Sequence, residues 1–406
     1  MPGRPLGDSW FSLDNKAISK VMKQIVHVEQ RYMALALPAS GSLYFKRDLE
    51  SHEKAAPIPG FSQDDTSLVV GPIASYAWWY RERALSDVDR GPWEDFLSCF
   101  EAVAKREISF CQQYGKPRHN VELYLRELDN LEPQYPSRHV ELLQDFLKLA
   151  PYLDVSRDSR FARPTLRHPD LSPNNILVND ELEITGIIDW QHATALPLCL
   201  CAGIPKYYQN WGDPISESLQ KPETKLPPDF DDQDSASQEA TKDSMRRRLI
   251  HFYYAALTMK KNQDHFDAFR SYNLMLRAKL YDRAGAPWEG SSASLEQVLI
   301  EAQRHWPLRI EDSSSKEAPE CPLSYPSERI ESCLKRVQEE DERLEELDDM
   351  RAMLNTDAVG WVEDDEHLAQ ANELLDSMRT AFLQEAKTDI EKIAARDHFP
   401  FDDHEE

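Results

Sequence analysis

Cysteine is sparse in this chain: six residues, Cys99, Cys111, Cys199, Cys201, Cys321 and Cys333, are scattered over 406 positions. None forms C-x-x-C, Cys199-Leu200-Cys201 is too tight and lacks a second pair, and the nearest histidine, His192, stands alone. That argues against a disulfide framework or a structural zinc site and for buried free thiols. Positive charge is also short. Lys and Arg number 47 against 72 Asp and Glu, a formal charge of −25, which excludes a protein built to coat nucleic acid or anionic lipid. No apolar run approaches the about 20 residues that span a bilayer, so no membrane span is expected. The opening Met1-Pro2-Gly3-Arg4-Pro5-Leu6-Gly7-Asp8 has neither a secretory apolar core nor an Arg/Ser-rich amphipathic stretch, so no transit peptide is read in it. Hydrophobic residues at 41% and charged residues at 29% are those of a globular protein.

The acidity is uneven. Residues 301–406 hold 30 acids and 12 bases, a net of −18, whereas the first 300 residues carry −7. The composition changes at Glu311-Asp312-Ser313-Ser314-Ser315, which reads as an exposed connection. The expected organisation is a main body over 1–310, a linker over 311–327 and an acidic helical extension over 328–406. In the extension, Glu328–Ala352 and His367–Ala394 have apolar residues at three- and four-residue steps, the pattern of helices that pack one stripe. Pro214, Pro222, Pro227 and Pro228 mark 210–241 as a surface excursion.

The body reads as mostly helical, an α+β chain with short strands. Helices are expected over Asn15–Leu37, over Pro92–Tyr114 with Pro92 in the first turn, over Ser137–Ala150 and over Asp243–Met259. Trp78-Trp79 reads as the packed start of an amphipathic helix, and Arg246-Arg247-Arg248 as the solvated start of a buried one. Ser42–Lys46 and Ser67–Pro72 look like paired strands joined by a long loop. Asn175–Val178, the turn Asn179-Asp180 and Leu182–Ile188 form a hairpin.

That hairpin carries the chemistry. Its flanks read His168-Pro169-Asp170-Leu171-Ser172-Pro173-Asn174-Asn175 and Ile187-Ile188-Asp189-Trp190. The pattern H-x-D-x-x-x-x-N, strand, turn, strand, Asp suits phosphoryl transfer. Asp170 would take the proton of an attacking hydroxyl, while Asn175 and Asp189 would hold Mg²⁺ through hard oxygen donors. The hairpin returns Asp189 towards Asn175. Each residue taken alone has a plainer role, capping a turn.

This segment resembles the catalytic core of the aminoglycoside phosphotransferase-like, protein-kinase-like superfamily. The wider match is similar to its fungal branch, the altered-inheritance-of-mitochondria protein 9 family, on Gly3-Arg4-Pro5-Leu6-Gly7, Pro38-Ala39-Ser40-Gly41-Ser42, Gly91-Pro92-Trp93-Glu94, Ala202-Gly203-Ile204-Pro205, Tyr208-Gln209-Asn210 and Phe399-Pro400-Phe401-Asp402-Asp403. The resemblance implies a kinase-like carboxy-terminal lobe with small β-hairpins and an acidic helical tail. It implies ATP and Mg²⁺ as donor and cofactor, a small-molecule hydroxyl as acceptor, Asp170 as the catalytic aspartate, Asn175 and Asp189 as metal ligands, and His168 as a brace for the loop. It also implies a mitochondrial location, the alternative being cytoplasmic. Ser172 stands where relatives often have a basic residue or His. No G-x-G-x-x-G precedes the first helix, and Lys46 reads as a strand residue rather than a phosphate-pairing lysine. Two readings follow for this chain: a phosphotransferase-like protein, or a catalytically silent, pseudokinase-like binding protein that keeps the helical lobe. With the nucleotide-covering lobe lacking, weak nucleotide binding is expected, and the surface around Phe45 and Val69 is expected to lie open to self-association.

Overall fold

A computed structural model of the protein describes residues 3–61, 67–307, 320–354 and 365–401. They fall into two compact units, the first from 3–102 and 150–281, the second from 103–149, 282–307, 320–354 and 365–401. Of the expected linker, 311–319 lies outside the described residues, as do Asp402 and Asp403.

The first unit is organised by the helix Asn15–Met33. The Asp14 carboxylate caps it, accepting from the Ala17 N–H at 2.7 Å. Ile18, Val21, Met22, Ile25 and Val26 recur at helical spacing and are buried, joining Tyr254, Phe266 and Phe269 in one core. Each fully buried aliphatic side chain contributes about 1.5–3 kcal/mol. The helix stops at Met33 rather than Leu37; Pro38 disfavours helical backbone at Leu37 itself. The expected strand pair is present, and the long loop between its members supplies a third strand. Strands β2 (Ser42–Phe45) and β3 (Ala56–Pro57) flank β4 (Leu68–Gly71), both antiparallel to it. Numbering the remaining strands in chain order, β1 (Arg4–Pro5), β6 (Ile176–Val178) and β7 (Ile184–Ile187) form a second antiparallel sheet with β6 central. β5 (Pro164–Arg167) pairs antiparallel with β8 (Thr194–Pro197). Mostly helical with small antiparallel sheets, the fold has the expected class.

Several local expectations are corrected. The third helix begins at Phe96, not Pro92. Trp93 is held extended by exchanging backbone hydrogen bonds with Ser40, and the cap is Asp95, whose Oδ1 accepts from the Ser98 N–H at 2.8 Å. The surface excursion ends early: a helix starts at Ser235, capped by Asp234, and runs to Lys261. Trp78 lies in a 3₁₀ turn, Tyr76–Trp78, and is buried, whereas Trp79 is half-exposed with its Nε1–H on the Ile73 carbonyl at 2.9 Å. Of the Arg246–Arg248 run, Arg247 is exposed as expected and pairs with Asp243 on its own helix, whereas Arg246 donates to the Leu13 and Trp10 carbonyls and Arg248 pairs with Asp213. Lys46 sits in a 3₁₀ turn after β2, exposed. Of the surface expected to lie open, Val69 is buried, while Phe45 is 43% exposed with the Arg47 guanidinium 5.0 Å over its ring.

The second unit packs helices Pro136–Leu149, Ala293–Arg304 and Ser327–Met353. Glu296 receives both Arg138 and Arg329. The expected His367–Ala394 segment is two helices, Asp365–Glu385 and Asp389–Asp397, the second opened by a reciprocal Thr388/Glu391 capping box. Among the described residues no helix is long and apolar enough to cross a membrane. All six cysteines are free, and burial pushes the Cys99 and Cys201 thiols up to about 12.

One glycine beside the β5–β8 pair is sterically required. Gly41 exchanges backbone hydrogen bonds with Ala195 of β8, and a Cβ there would sit 2.2 Å from the Gly71 carbonyl oxygen. Backbone cannot yield as a flexible side chain would. Gly41→Ala is expected to destabilise by about 1–3 kcal/mol, read as a lower urea midpoint with an unchanged slope. A shift of a few tenths of that would show the sheets part easily.

Candidate active site

β5 delivers the chain into the loop His168–Asn175. Leu171 faces the core with Ile18 and Ile176 and is 3% exposed, so its neighbour Asp170 is turned out to solvent. His168 is buried beneath the loop. The Asp170 N–H donates to its Nδ1 at 3.2 Å, which places the ring proton on Nε2, and that nitrogen donates to the Ile188 carbonyl at 2.9 Å. One neutral imidazole thus ties the loop to the strand that precedes Asp189.

A 3₁₀ turn, Pro173–Asn175, leads into β6. Asn175 Nδ2 donates to the Asp170 carbonyl at 2.9 Å and to Asp170 Oδ2 at 3.0 Å. The nitrogen end of the amide therefore braces the carboxylate, leaving the oxygen end as the free acceptor. Ser172 Oγ lies 3.5 Å from the same Oδ2, a marginal contact.

The hairpin returns as its sequence implied. Ile176 pairs with Ile187 and Leu177 with Gly186, with an irregularity before Val178. The side chain of Gln24 clamps the turn from the first helix, donating to the Leu182 carbonyl at 2.8 Å and accepting from the Ile184 N–H at 3.0 Å. The Ile188 N–H then donates to the Asn175 carbonyl at 2.9 Å, so Asp189 stands one residue beyond a direct bond to Asn175. Asp189 and His192 both adopt left-handed backbone, φ 62°, at a cost of about 1 kcal/mol each. The turn is held by a buckle: Ser42 Oγ accepts from the Ala74 N–H and donates to the Ala193 carbonyl, both at 3.0 Å, and His192 Nδ1–H donates to the Ala74 carbonyl at 3.1 Å.

Asp170 and Asn175 are therefore in direct contact, and Asp189 is brought to the same end of the hairpin. Among the described residues the exposed Asp189 carboxylate has no hydrogen-bond or ion-pair partner. Among the described residues, an unpaired carboxylate and an amide oxygen without a hydrogen bond stand at one end of the hairpin, donor types that fit a hard divalent cation such as Mg²⁺. Among the described residues no three His, Cys, Asp or Glu side chains gather as a metal cluster; a donor set here would depend on the Asn175 amide. Sequence reasoning missed the support beneath the loop: Glu29, Tyr32, Arg167 and Tyr254. The available signal was a glutamate on the apolar stripe of the first helix.

The stretch that holds this geometry is similar to known proteins. The phosphotransferase enzyme family matches residues 100–199, a stretch that takes in the Asp170 loop, the hairpin and Asp189. Over that stretch the chain is similar to the phosphotransferase enzyme family, and its mostly helical fold with small antiparallel sheets agrees with a kinase-like class. It is 29% identical over 437 residues to a subtelomeric hrmA-associated cluster protein of Aspergillus fumigatus, covering 100% of this chain and 81% of that one. It is 21% identical over 359 residues to the altered inheritance of mitochondria protein 9, mitochondrial, of Kluyveromyces lactis, covering 81% of this chain and 55% of the relative. The protein of that name from Candida glabrata is 24% identical over 239 residues, 52% of this chain and 36% of its own length. No solved structure matches.

Proposed function

We propose that this chain carries a phosphotransfer site that moves the terminal phosphoryl group of ATP to a small-molecule hydroxyl. The observation that carries the reading is the split role of Asn175, whose amide nitrogen is committed to Asp170 while its oxygen remains for a cation. Asp170 Oδ2 is occupied by Asn175, so Oδ1 is the oxygen that accepts the acceptor's proton as the hydroxyl oxygen bonds to phosphorus and the bond to the leaving ADP oxygen breaks. Asn175 and Asp189 would hold Mg²⁺, which when bound neutralises charge on the phosphate oxygens. His168 moves no proton: both its nitrogens are committed to backbone, and it fixes the loop. The Kluyveromyces lactis relative is named as mitochondrial, and a mitochondrial location for this chain is part of the proposal, open to fractionation of cells expressing it.

Titration of the chain with ATP, with and without Mg²⁺, tests the site. These 406 residues contain no G-x-G-x-x-G ahead of the Asp170 loop, and each charge-assisted phosphate contact forgone costs about 1.5–3 kcal/mol. Weak binding, in the millimolar range and strictly Mg²⁺-dependent, is therefore expected. Binding indifferent to Mg²⁺ would refute the metal role of Asn175 and Asp189.

A further inference from the structure

Glu29 lies on the buried side of the helix Asn15–Met33 and is 2% exposed. Its carboxylate gathers three partners. The Arg167 guanidinium lies 3.3 Å from Oε1, the Tyr32 hydroxyl donates to Oε1 at 3.4 Å, and the Tyr254 hydroxyl donates to Oε2. Arg167 also reaches His265 Nε2 at 2.7 Å and the Gly203 carbonyl at 3.1 Å. Burial works against the charge on Arg167, but Glu29, Tyr254 and Tyr32 more than offset it and hold its pKa above the ordinary value. A buried ion pair of this kind gains little over an apolar replacement of the same volume. Net stability is therefore a poor account of why a charge sits here.

Its position is a better one, because two contact paths leave Glu29 and both end at the site. Arg167 is the residue before His168, whose ring nitrogens hold the Asp170 N–H and the Ile188 carbonyl. Tyr32 stands edge-on to Trp190, ring centroids 5.3 Å apart at 86°, and Trp190 stands edge-on to His168 at 4.7 Å. Trp190 directly follows Asp189 in its left-handed turn. The first path sets the loop of Asp170, and the second sets the turn of Asp189.

We propose that Glu29 is the positioning residue of the Asp170–Asn175–Asp189 site, one buried carboxylate that fixes both halves in register through Arg167 and through Tyr32 with Trp190. The consequence for metal binding rests on the phosphotransfer reading; the positional coupling does not.

The test compares Glu29→Gln, which keeps an acceptor oxygen for one of the two tyrosines but removes the charge facing Arg167, with Tyr32→Phe, which cuts only the Trp190 path. Ile18→Val and Ile18→Ala, in the core of the same helix, bracket the loss of stability expected from a purely structural change. The readouts are the ¹H–¹⁵N signals of the His168 ring and the Trp190 indole, and Mn²⁺ affinity followed by electron paramagnetic resonance, all below each variant's unfolding range. Glu29→Gln is expected to move the His168 and Trp190 signals and to raise the Mn²⁺ dissociation constant about tenfold, as changes behind metal ligands do. Tyr32→Phe is expected to move the Trp190 signal more than that of His168. The Ile18 variants are expected to leave the signals and the affinity in place. Unmoved signals in Glu29→Gln, or equal movement in Ile18→Ala, would overturn the proposal. Failure of the unaltered chain to bind Mn²⁺ would count against the phosphotransfer reading alone, since the ring signals still decide the coupling.

Discussion

Asp170→Asn is expected to lower phosphoryl transfer by about 100- to 10,000-fold, the contribution of a positioned general base, while ATP affinity stays nearly unchanged. The asymmetry follows from the two oxygens of Asp170. Oδ2 already accepts from Asn175, and an amide oxygen at that place preserves the contact and with it the loop. The other oxygen is the proton acceptor, and an amide group there has no basicity to offer. Asp189→Asn should behave differently. Its carboxylate has no protein partner among the described residues, so the fold loses little, but the charge facing the cation is gone. The dissociation constant for Mg²⁺ should rise at least tenfold, roughly the loss caused by changes one sphere further out, and ATP binding should weaken with it. Transfer assays and Mg²⁺ titrations of both variants separate the roles. If both changes only shift the unfolding midpoint by about 1 kcal/mol, as a lost cap would, the residues are turn formers and the phosphotransfer assignment fails.

The contact of Asp170 with Asn175 and the return of Asp189 were legible because they are local. Five residues separate the first two, and a hairpin signalled by apolar runs around Asn179-Asp180 returns the third. Where long-range contacts decide, the sequence was opaque. Glu29 reads as one more charge on an amphipathic helix until Arg167, far along the chain, is seen at 3.3 Å. Val69 reads as exposed only if its sheet is imagined uncovered, yet it is buried. Helix ends depart from the apolar pattern where local capping decides: Asp95 with Ser98 starts the third, and Thr388 with Glu391 breaks the last segment in two, while Pro38 bars only Leu37 from the first. The left-handed backbone at Asp189 and His192 had no such signal, because neither is glycine and the buckle through Ser42 is tertiary.

The first unit should lose stability steeply as pH falls from about 6.5 towards 4, through two buried histidines. His251 accepts from the Asn210 N–H at its Nδ1, 2.8 Å away, so its proton is on Nε2, which is buried and has no partner among the described residues. Burial pushes its pKa down from 6.5 to about 4, against a smaller upward pull from Asp213. His265 accepts at Nε2 from Arg167 and from the Gly203 N–H, leaving its Nδ1 buried with no partner among the described residues. Its pKa is held well below 6.5 by burial and then by the Arg167 charge. Both groups are neutral in the folded state and take up a proton on unfolding below pH 6.5. Their contribution is thus fully present above that pH and is lost as pH falls towards their folded values. For His251 alone the loss is about 3 kcal/mol, at 1.36 kcal/mol per pH unit, a large part of a net stability of about 5–15 kcal/mol. His251→Asn keeps an acceptor for Asn210 and removes the titration. Urea denaturation of the two proteins between pH 7.5 and 4 should show the variant's stability falling with a slope smaller by about one proton. Parallel curves would mean that His251 is solvated and that the acid lability arises elsewhere.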